Sequence, residues 1–215
     1  PNPVLRSGPM RQAWLANRPL TQPLALALML LASIAGSSGA GEGRFPYETD
    51  SATETWLAAS AAVTLGGAYL AARTVDPFTP AEVEALDAAK LPGLDRSATT
   101  RWSPRAAAWS DYLVVGLAAA PATLLAAGPA EDAAGELLTI WGETFLLTTG
   151  VVQLTKALVR RTRPYAYNPD PAIPMNKRLS LTTRRSFPSG HAARAFAMAV
   201  MLSSMYRQMH PGDRA

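Results

Sequence analysis

The sequence predicts an all-α protein, a helical bundle embedded in a membrane. Long apolar segments recur along the 215 residues, and two of them carry no charged residue. Signals for helix starts stand between these segments. No stretch of any length alternates apolar and polar residues as a half-buried β-strand does. Together these observations favour helices over strands throughout the chain.

The N-terminal region has the order of a secretory signal peptide. Two arginines precede an apolar core at residues 24–34, and the small residues AGSSGAG follow it. Basic, apolar and small residues in this order predict cleavage after Ala40. An uncleaved membrane anchor is the alternative. We therefore divide the chain into a signal peptide or anchor, residues 1–40, and a helical domain, residues 41–215.

Four further apolar segments follow, and they predict the helices of the bundle. They cover residues 55–72, 112–130, 137–155 and 195–206. The first three approach the roughly 20 residues that a helix needs to cross a bilayer. They are rich in alanine and glycine, which suits close packing of helices in a membrane. A soluble bundle of buried helices is the alternative, but charge-free segments of this length favour the membrane.

Local signals set the expected helix ends between the apolar segments. Thr79-Pro80-Ala81-Glu82 predicts a helix start, with threonine as N-cap, proline at the first position and glutamate three residues after the cap. We expect this helix to run to about Lys90, before a Pro-Gly pair. Ser110-Asp111 is expected to cap the next apolar helix. Residues 165–187, which contain several prolines, are expected to form a loop.

Charge and composition limit the possible functions. The net charge is +4, and eight basic residues against one acid lie between residues 156 and 185. This local excess predicts an anionic partner: phosphate, a lipid headgroup or nucleic acid. There is no cysteine, which excludes disulfides and thiolate metal sites. With only two histidines we expect no metal and no other cofactor.

The stretch KALVRRTRP, residues 156–164, is the first candidate motif. Lys156 and Arg163 are seven residues apart, so in a helix both would project from one face. Pro164 is expected to stop that helix. Two such cations form a clamp for an oxyanion, and arginine can donate two parallel hydrogen bonds to phosphate. Taken alone, the stretch fits equally well the basic flank of a membrane helix.

The stretch FPSGH, residues 187–191, is the second candidate motif. Pro188 and Gly190 allow a tight turn, and Ser189 can cap the apolar helix that follows. The free N–H groups of a helix start and a serine hydroxyl form a cradle for phosphate. His191, in the first turn, can donate a proton to a leaving oxygen. Taken alone, this pattern more often marks a helix cap with an incidental histidine.

The two motifs together resemble the type 2 phosphatidic acid phosphatase superfamily, which includes bacterial acid phosphatases and vanadium haloperoxidases. The resemblance covers residues 55–210, and the apolar helices are similar to those of its membrane branch. It implies a metal-independent hydrolase of a phosphomonoester or pyrophosphate of a lipid, acting through a phosphohistidine. The residues it assigns to phosphate binding are Lys156, Arg163, Ser189 and Gly190, and the general acid is His191.

The superfamily's third motif, S-R-x5-H-x3-D, supplies the nucleophilic histidine and its orienting aspartate, and it does not occur in this sequence. His210 has no Ser-Arg pair before it, and it lies about 28 Å beyond His191 if the helix is continuous. We therefore expect a chain truncated before that motif, without the last two helices of the bundle. Such a piece is expected to bind phosphate weakly and not to turn over.

Two charged residues near these motifs have alternative roles. Arg194 lies three residues after His191 on the same helix face, and it is expected either to contact phosphate or to reach the loop. Glu143 lies within an apolar helix, where a carboxylate is costly. It is expected either to pair with a basic residue or to be a protonated structural group.

The sequence is also compatible with functions other than a lipid phosphatase. The expected partners are a phosphorylated lipid and a membrane, with the site on the periplasmic side of a bacterial inner membrane or in the periplasm. A vanadium haloperoxidase would use the same motifs. A membrane protein whose basic loop binds anionic lipid would not be an enzyme. Nucleic acid is not expected, since the basic stretch has few interleaved aromatic residues.

Overall fold

The computed structural model describes residues 49–119 and 134–209, and these two segments contain helices and no strand. The all-α prediction is therefore confirmed for the described part of the chain. The predictions for residues 1–40, for residues 120–130 and for His210 lie outside it. The α-helices are α1 (Ser51–Ala72), α2 (Pro80–Glu84), α3 (Gly93–Thr99), α4 (Pro104–Ala118), α5 (Ala134–Val159), α6 (Met175–Arg178) and α7 (Gly190–Met209). Short 3-10 turns occur at Ala88–Lys90, Pro164–Tyr167 and Leu181–Arg184.

Helices α1 and α5 run parallel and very close to each other. Gly150 of α5 lies against Thr64 of α1, and four residues further along α5 the side chain of Leu154 lies against Gly67. Small residues make this approach possible, because a larger side chain at Gly150 would occupy the space of the neighbouring helix. Ala61 and Ala68, on the same side of α1, are buried. The pair holds α5, which carries the first motif, in place.

Helix α7 runs antiparallel to α5 and brings the second motif to the end of α5. Met198 of α7 packs against Trp141 in the first half of α5, whereas Gly190 lies at Lys156 in its last turn. The indole N–H of Trp141 donates to the carbonyl oxygen of Ala118 at 3.2 Å, which satisfies a carbonyl at the end of α4. The N-terminal end of α7 and the C-terminal end of α5 therefore meet.

Glu143 has an acidic neighbour in the described part of the chain. It is buried in α5, and its carboxyl group lies against that of Glu54 from α1. One of the two expectations for Glu143 was a basic partner, whereas the neighbour that the described residues supply is acidic. Glu143 is more than three turns of α5 before Lys156, so it does not belong to the site described below.

The capping box that begins α2 is confirmed, but the predicted length of that helix is wrong. The Thr79 N–H donates to Glu82 Oε2 at 2.8 Å, and the Glu82 N–H donates to Thr79 Oγ1 at 3.2 Å. The helix ends at Glu84 instead of Lys90. Asp87 accounts for the difference, since its carboxylate accepts from the Ala89 N–H at 2.8 Å and starts a separate 3-10 turn.

A Thr79→Ala substitution should lower the free energy of unfolding by about 1 kcal/mol, because the cap at the start of α2 loses its acceptor. For a chain of this size the melting temperature should fall by about 3 °C. Thermal melting of the detergent-solubilised chain measures this. Thr100→Ala is the control, because the exposed Thr100 hydroxyl makes only a 3.4 Å bond to the carbonyl of Ser97. Equal melting of the two variants would contradict a stabilising capping box.

The predicted cap at Ser110-Asp111 is wrong, because α4 begins earlier. Ser103 is its N-cap, with Oγ accepting from the Ala106 N–H at 3.2 Å, and Pro104 takes the first helical position. Ser103-Pro104 is the stronger start signal because proline at this position fixes the helical φ angle without losing a hydrogen bond. Asp111 therefore lies within α4, and its side chain is not used by a cap.

The expected loop at 165–187 is irregular but well anchored. The Tyr165 hydroxyl and the Thr183 hydroxyl lie 2.9 Å apart, and Thr183 Oγ1 also donates to the carbonyl of Lys177 at 2.9 Å. The Lys177 ammonium stacks 4.3 Å from the centroid of the Trp102 ring, a cation–π contact. These bonds fix the path of the chain between the two motifs.

Within the described residues, two segments are long and apolar enough to cross a membrane. They are α1 and the segment Ala134–Tyr167, which begins with α5. The outer face of α1 exposes large apolar side chains, with Trp56 at 74%, Val63 at 73% and Leu70 at 64% of their full accessibility. This is the structural indication of membrane association.

Candidate active site

Lys156 and Arg163 do not share a helical face, so the geometric prediction for the first motif is wrong. Helix α5 ends at Val159, and Arg160 has a φ of 51°, a left-handed conformation that stops the helix before Pro164. This conformation costs an arginine roughly 1–2 kcal/mol. The Arg160 guanidinium offsets part of this cost by donating to the carbonyl of Ala157 at 3.2 Å and to Thr74 Oγ1 at 2.7 Å.

Arg163 is positioned by the loop instead of by the helix. Its backbone N–H donates to the carbonyl of Thr183 at 2.8 Å, and its Nε donates to the carbonyl of Thr182 at 2.8 Å. The second bond fixes the plane of the guanidinium. The chain between the motifs therefore folds back and holds Arg163 near the C-terminal end of α5.

The second motif forms the N-terminal turn of α7. Ser189 caps the helix, since its Oγ accepts from the Ala192 N–H at 3.3 Å and its carbonyl accepts from the Ala193 N–H at 3.0 Å. The Ser186 N–H donates to the carbonyl of Arg161 at 2.9 Å and ties the turn to the first motif. A capped helix start of this kind presents free backbone N–H groups and the positive end of the helix dipole.

Two cations converge on Gly190, the buried first residue of α7. A Cβ atom placed on Gly190 would lie 3.1 Å from Lys156 Nζ and 3.5 Å from each of the terminal guanidinium nitrogens of Arg194. The absence of a side chain at Gly190 thus lets an ammonium and a guanidinium approach the backbone of a helix start. Arg194, which was expected either to contact phosphate or to reach the loop, lies beside Lys156.

Four basic residues form a group that we call the cation cluster: Lys156, Arg163, Arg185 and Arg194. The charges that act on the Lys156 ammonium are those of the three arginines, and all are positive. Arg185 also donates to Gln153 Oε1 at 3.2 Å. Burial lowers the pKa of the Arg194 guanidinium, and the charge of Asp111 acts in the opposite direction. The positive charges of the cluster repel each other, and a bound anion would relieve that repulsion.

His191 follows the cluster in the first turn of α7, and its partner is Asp111 of α4. The His191 Nε2 and Asp111 Oδ1 atoms are 2.6 Å apart. The side chains are partly exposed, at 44% for the histidine and 67% for the aspartate, so the pair lies at the open edge of the site. Sequence reasoning missed Asp111 as a site residue. The available signal was that Asp111 is the only charged residue between Arg105 and Glu131.

Most other basic residues between the motifs have partners outside the cluster. Arg161 pairs with Asp95, and Arg184 pairs with Glu82 at 2.7 Å. The Thr79 N–H, and next the Arg184 guanidinium, hold the pKa of Glu82 below its ordinary value. Arg178 donates to the carbonyl of Asp170 at 2.7 Å. The first two pairs fasten the segment between the motifs to α3 and α2, and the third bond lies within the loop itself.

A cavity of about 390 Å³ lies between the start of α4 and the residues that follow the first motif. Its walls are mainly apolar, and the Trp102 and Tyr165 rings meet edge to face with centroids 5.5 Å apart. The lining residues are Ala98, Arg101, Trp102, Ser103, Ala106, Pro164 and Tyr165.

Residues 137–214 match the family model of the PAP2 superfamily. The matched segment contains both sequence motifs and all four members of the cation cluster. No curated protein and no solved structure matches the sequence.

Proposed function

We propose that this chain supplies the phosphate-binding site of a metal-independent phosphatase that acts on a phosphomonoester or pyrophosphate of a lipid. The match of residues 137–214 to the family model of the PAP2 superfamily supports the proposal. The observation that carries the proposal is the convergence of Lys156 and Arg194 on Gly190 at the start of α7. His191, the residue after Gly190, stands beside the place where a phosphate would be held.

The proposed phosphate site uses three kinds of donors. The cation cluster supplies charge, the first N–H groups of α7 supply oriented backbone donors, and Ser189 supplies a hydroxyl proton, since its oxygen already accepts from the Ala192 N–H. Hydrogen bonds to a charged group contribute about 1.5–3 kcal/mol each. Several such donors aimed at one point stabilise the charge on a phosphoryl group in transfer.

His191 is proposed to act as general acid in the transfer. The bond between phosphorus and the leaving oxygen breaks, the leaving oxygen takes a proton from the imidazole, and the phosphoryl group passes to a nucleophile. The resemblance implies that this nucleophile is a second histidine, in the motif S-R-x5-H-x3-D, which does not occur in this sequence. We therefore propose that this chain binds phosphate without sustained turnover.

A lipid substrate is favoured by the surface around the site. On α4, Trp109 and Tyr112 flank Asp111, with 73% and 69% of their surfaces exposed. Aromatic residues of this kind concentrate where a protein meets the headgroup region of a bilayer. The cavity lined by Trp102, Pro164 and Tyr165 has the apolar walls that the organic part of a lipid phosphate would contact. Both features favour a site at the level of the membrane surface.

A non-enzymatic loop that binds anionic surfaces is the second candidate function. It needs many free cations on one face, as in binding driven by unpaired surface charge. Arg161 and Arg184 instead pair with acids, and Lys177 stacks on Trp102. The cation cluster instead gathers its charges around one point, Gly190, and this fits one anion better than an extended charged surface.

The test is binding of orthovanadate, a phosphate analogue, to the detergent-solubilised chain by calorimetry. We expect saturable binding of one ion, displaced by inorganic phosphate, and no phosphate release from a phosphomonoester at ordinary enzyme rates. Arg194→Met should weaken binding about 10-fold. Arg207→Met is the matched control, because that exposed arginine lies at the far end of α7.

Three outcomes would contradict the proposal. Unsaturable binding that salt abolishes equally in both variants would favour the non-enzymatic loop. Oxidation of bromide that depends on the added vanadate would favour a haloperoxidase. Phosphate release at ordinary enzyme rates would show that a nucleophile is already present in this chain.

A further inference from the structure

Asp111 is a carboxylate without a role in the fold of its own helix. It lies in the middle of α4, away from the cap at Ser103, where aspartate is less favourable than most residues by a few tenths of a kcal/mol. Its neighbours Tyr112, Leu113 and Val115 are large, apolar and exposed. The structure gives this charge a partner on another helix.

That partner is the histidine of the second motif. The 2.6 Å contact joins Asp111 Oδ1 to the Nε2 atom of His191, and the two residues are 80 positions apart in the sequence. The same carboxylate acts on the charge of Arg194, one turn further along α7. Asp111 thus faces both the proposed acid and one member of the cation cluster from across the mouth of the site.

We propose that Asp111 is the positioning residue of His191: it accepts the Nε2–H bond and so makes Nδ1 the ring atom that delivers the proton to the leaving oxygen. This inference rests on the proposed function for its chemical meaning. The pairing itself rests on the contact between α4 and α7, and neither sequence motif contains Asp111.

The proton balance of the step follows from this arrangement. Before transfer the imidazolium ring carries protons on both nitrogens, and the carboxylate of Asp111 stabilises its charge. The Nδ1–H bond then breaks, its electron pair stays on Nδ1, and the proton goes to the leaving oxygen as the bond from phosphorus to that oxygen breaks. The phosphoryl group goes to the second histidine that the resemblance implies as nucleophile. The ring ends neutral with its proton on Nε2, and Asp111 stays ionised.

The position of Asp111 also weakens the binding of phosphate, and this distinguishes a positioning role from a purely structural role. A carboxylate near the cation cluster repels a bound phosphate, so it lowers affinity in the ground state. A residue that only stabilises the fold would lower affinity when it is removed. A positioning carboxylate should instead raise affinity when it is removed, while the state of the His191 ring changes.

The experiment compares Asp111→Asn and Asp111→Ala with Asp76→Asn, an exposed loop aspartate, as control. His210→Gln serves as the common background, so that His191 is the only histidine present. Nitrogen-15 chemical shifts of the ring, recorded where it is neutral, report which nitrogen carries the proton. We expect the proton on Nε2 in the parent chain and in Asp111→Asn, whose amide oxygen still accepts, and a mixture of both tautomers in Asp111→Ala.

Orthovanadate affinity gives the second measurement. Measured where the His191 ring is neutral in every variant, it should rise by about two- to tenfold in Asp111→Asn and stay unchanged in Asp76→Asn. Ring signals in Asp111→Ala that equal those of the parent chain, or an affinity that falls in Asp111→Asn, would overturn the positioning role. If the parent chain bound no orthovanadate, the proposed function would fail, and the ring signals would still decide whether Asp111 holds His191.

Discussion

A Lys156→Met variant should lose orthovanadate and phosphate binding by about 10- to 100-fold, the largest change expected from one substitution in the site. Methionine keeps the length and apolar stem of the side chain but removes the ammonium that approaches Gly190. Calorimetric titration of the solubilised chain measures the change. Lys90→Met is the matched control, because Lys90 is exposed in the turn that precedes α3.

The melting temperature of the same variant separates a lost contact from a lost fold. In the absence of an anion, Lys156 is repelled by the three arginines of the cation cluster. Removing its charge should leave the melting temperature unchanged or raise it. Weak binding together with a raised or equal melting temperature would therefore support the clamp. Binding at the parent level in Lys156→Met would refute it, whatever the melting temperature.

The class of the fold was accessible to sequence reasoning for a physical reason. Helix periodicity, capping and apolar length are local properties, so Thr79 and Glu82 could be identified as a capping box from their spacing alone. Gly190 was expected to allow a tight turn, and the resemblance assigned it to phosphate binding; the structure places Lys156 and Arg194 beside it. The capping box and the turn both depend on a few consecutive residues.

The geometry of the site was less accessible, because it depends on residues distant in the chain. The expected common face for Lys156 and Arg163 failed at Arg160, whose left-handed conformation ends α5 early. Its stabilising partner is Thr74, 86 residues away. Arg163 still reaches the cluster, but through bonds to the loop at Thr182 and Thr183, which no helical spacing predicts.

The functional role of Asp111 could not be predicted from the sequence for the same reason. Beside Ser110 it fits the pattern of a helix cap, and nothing local distinguishes that role from a charge facing another helix. The real cap, Ser103, lies two turns earlier. Only the packing of α4 beside α7 brings the carboxylate to His191.

A Gly150→Ala substitution should cause the largest loss of stability, about 3 kcal/mol, because the added methyl overpacks the contact between α1 and α5. It would overlap Thr64 Oγ1, and it would lie 2.9 Å from Thr64 Cβ and 3.3 Å from the backbone nitrogen of Leu65. Backbone atoms cannot rotate away, so the helices must separate. Thermal melting of the solubilised chain measures the loss.

Gly66→Ala is the matched control, and the two substitutions should have opposite signs. Gly66 lies in the same helix pair with no atom within 4 Å of its Cβ position, so alanine there should stabilise α1 by about 0.5–1 kcal/mol. Adding Thr64→Gly to Gly150→Ala should recover part of the loss, which a double-mutant cycle detects. Because Lys156 lies less than two turns beyond Gly150, separation of the helices should also weaken orthovanadate binding. Parent-like melting in Gly150→Ala would show that α1 and α5 are not this close.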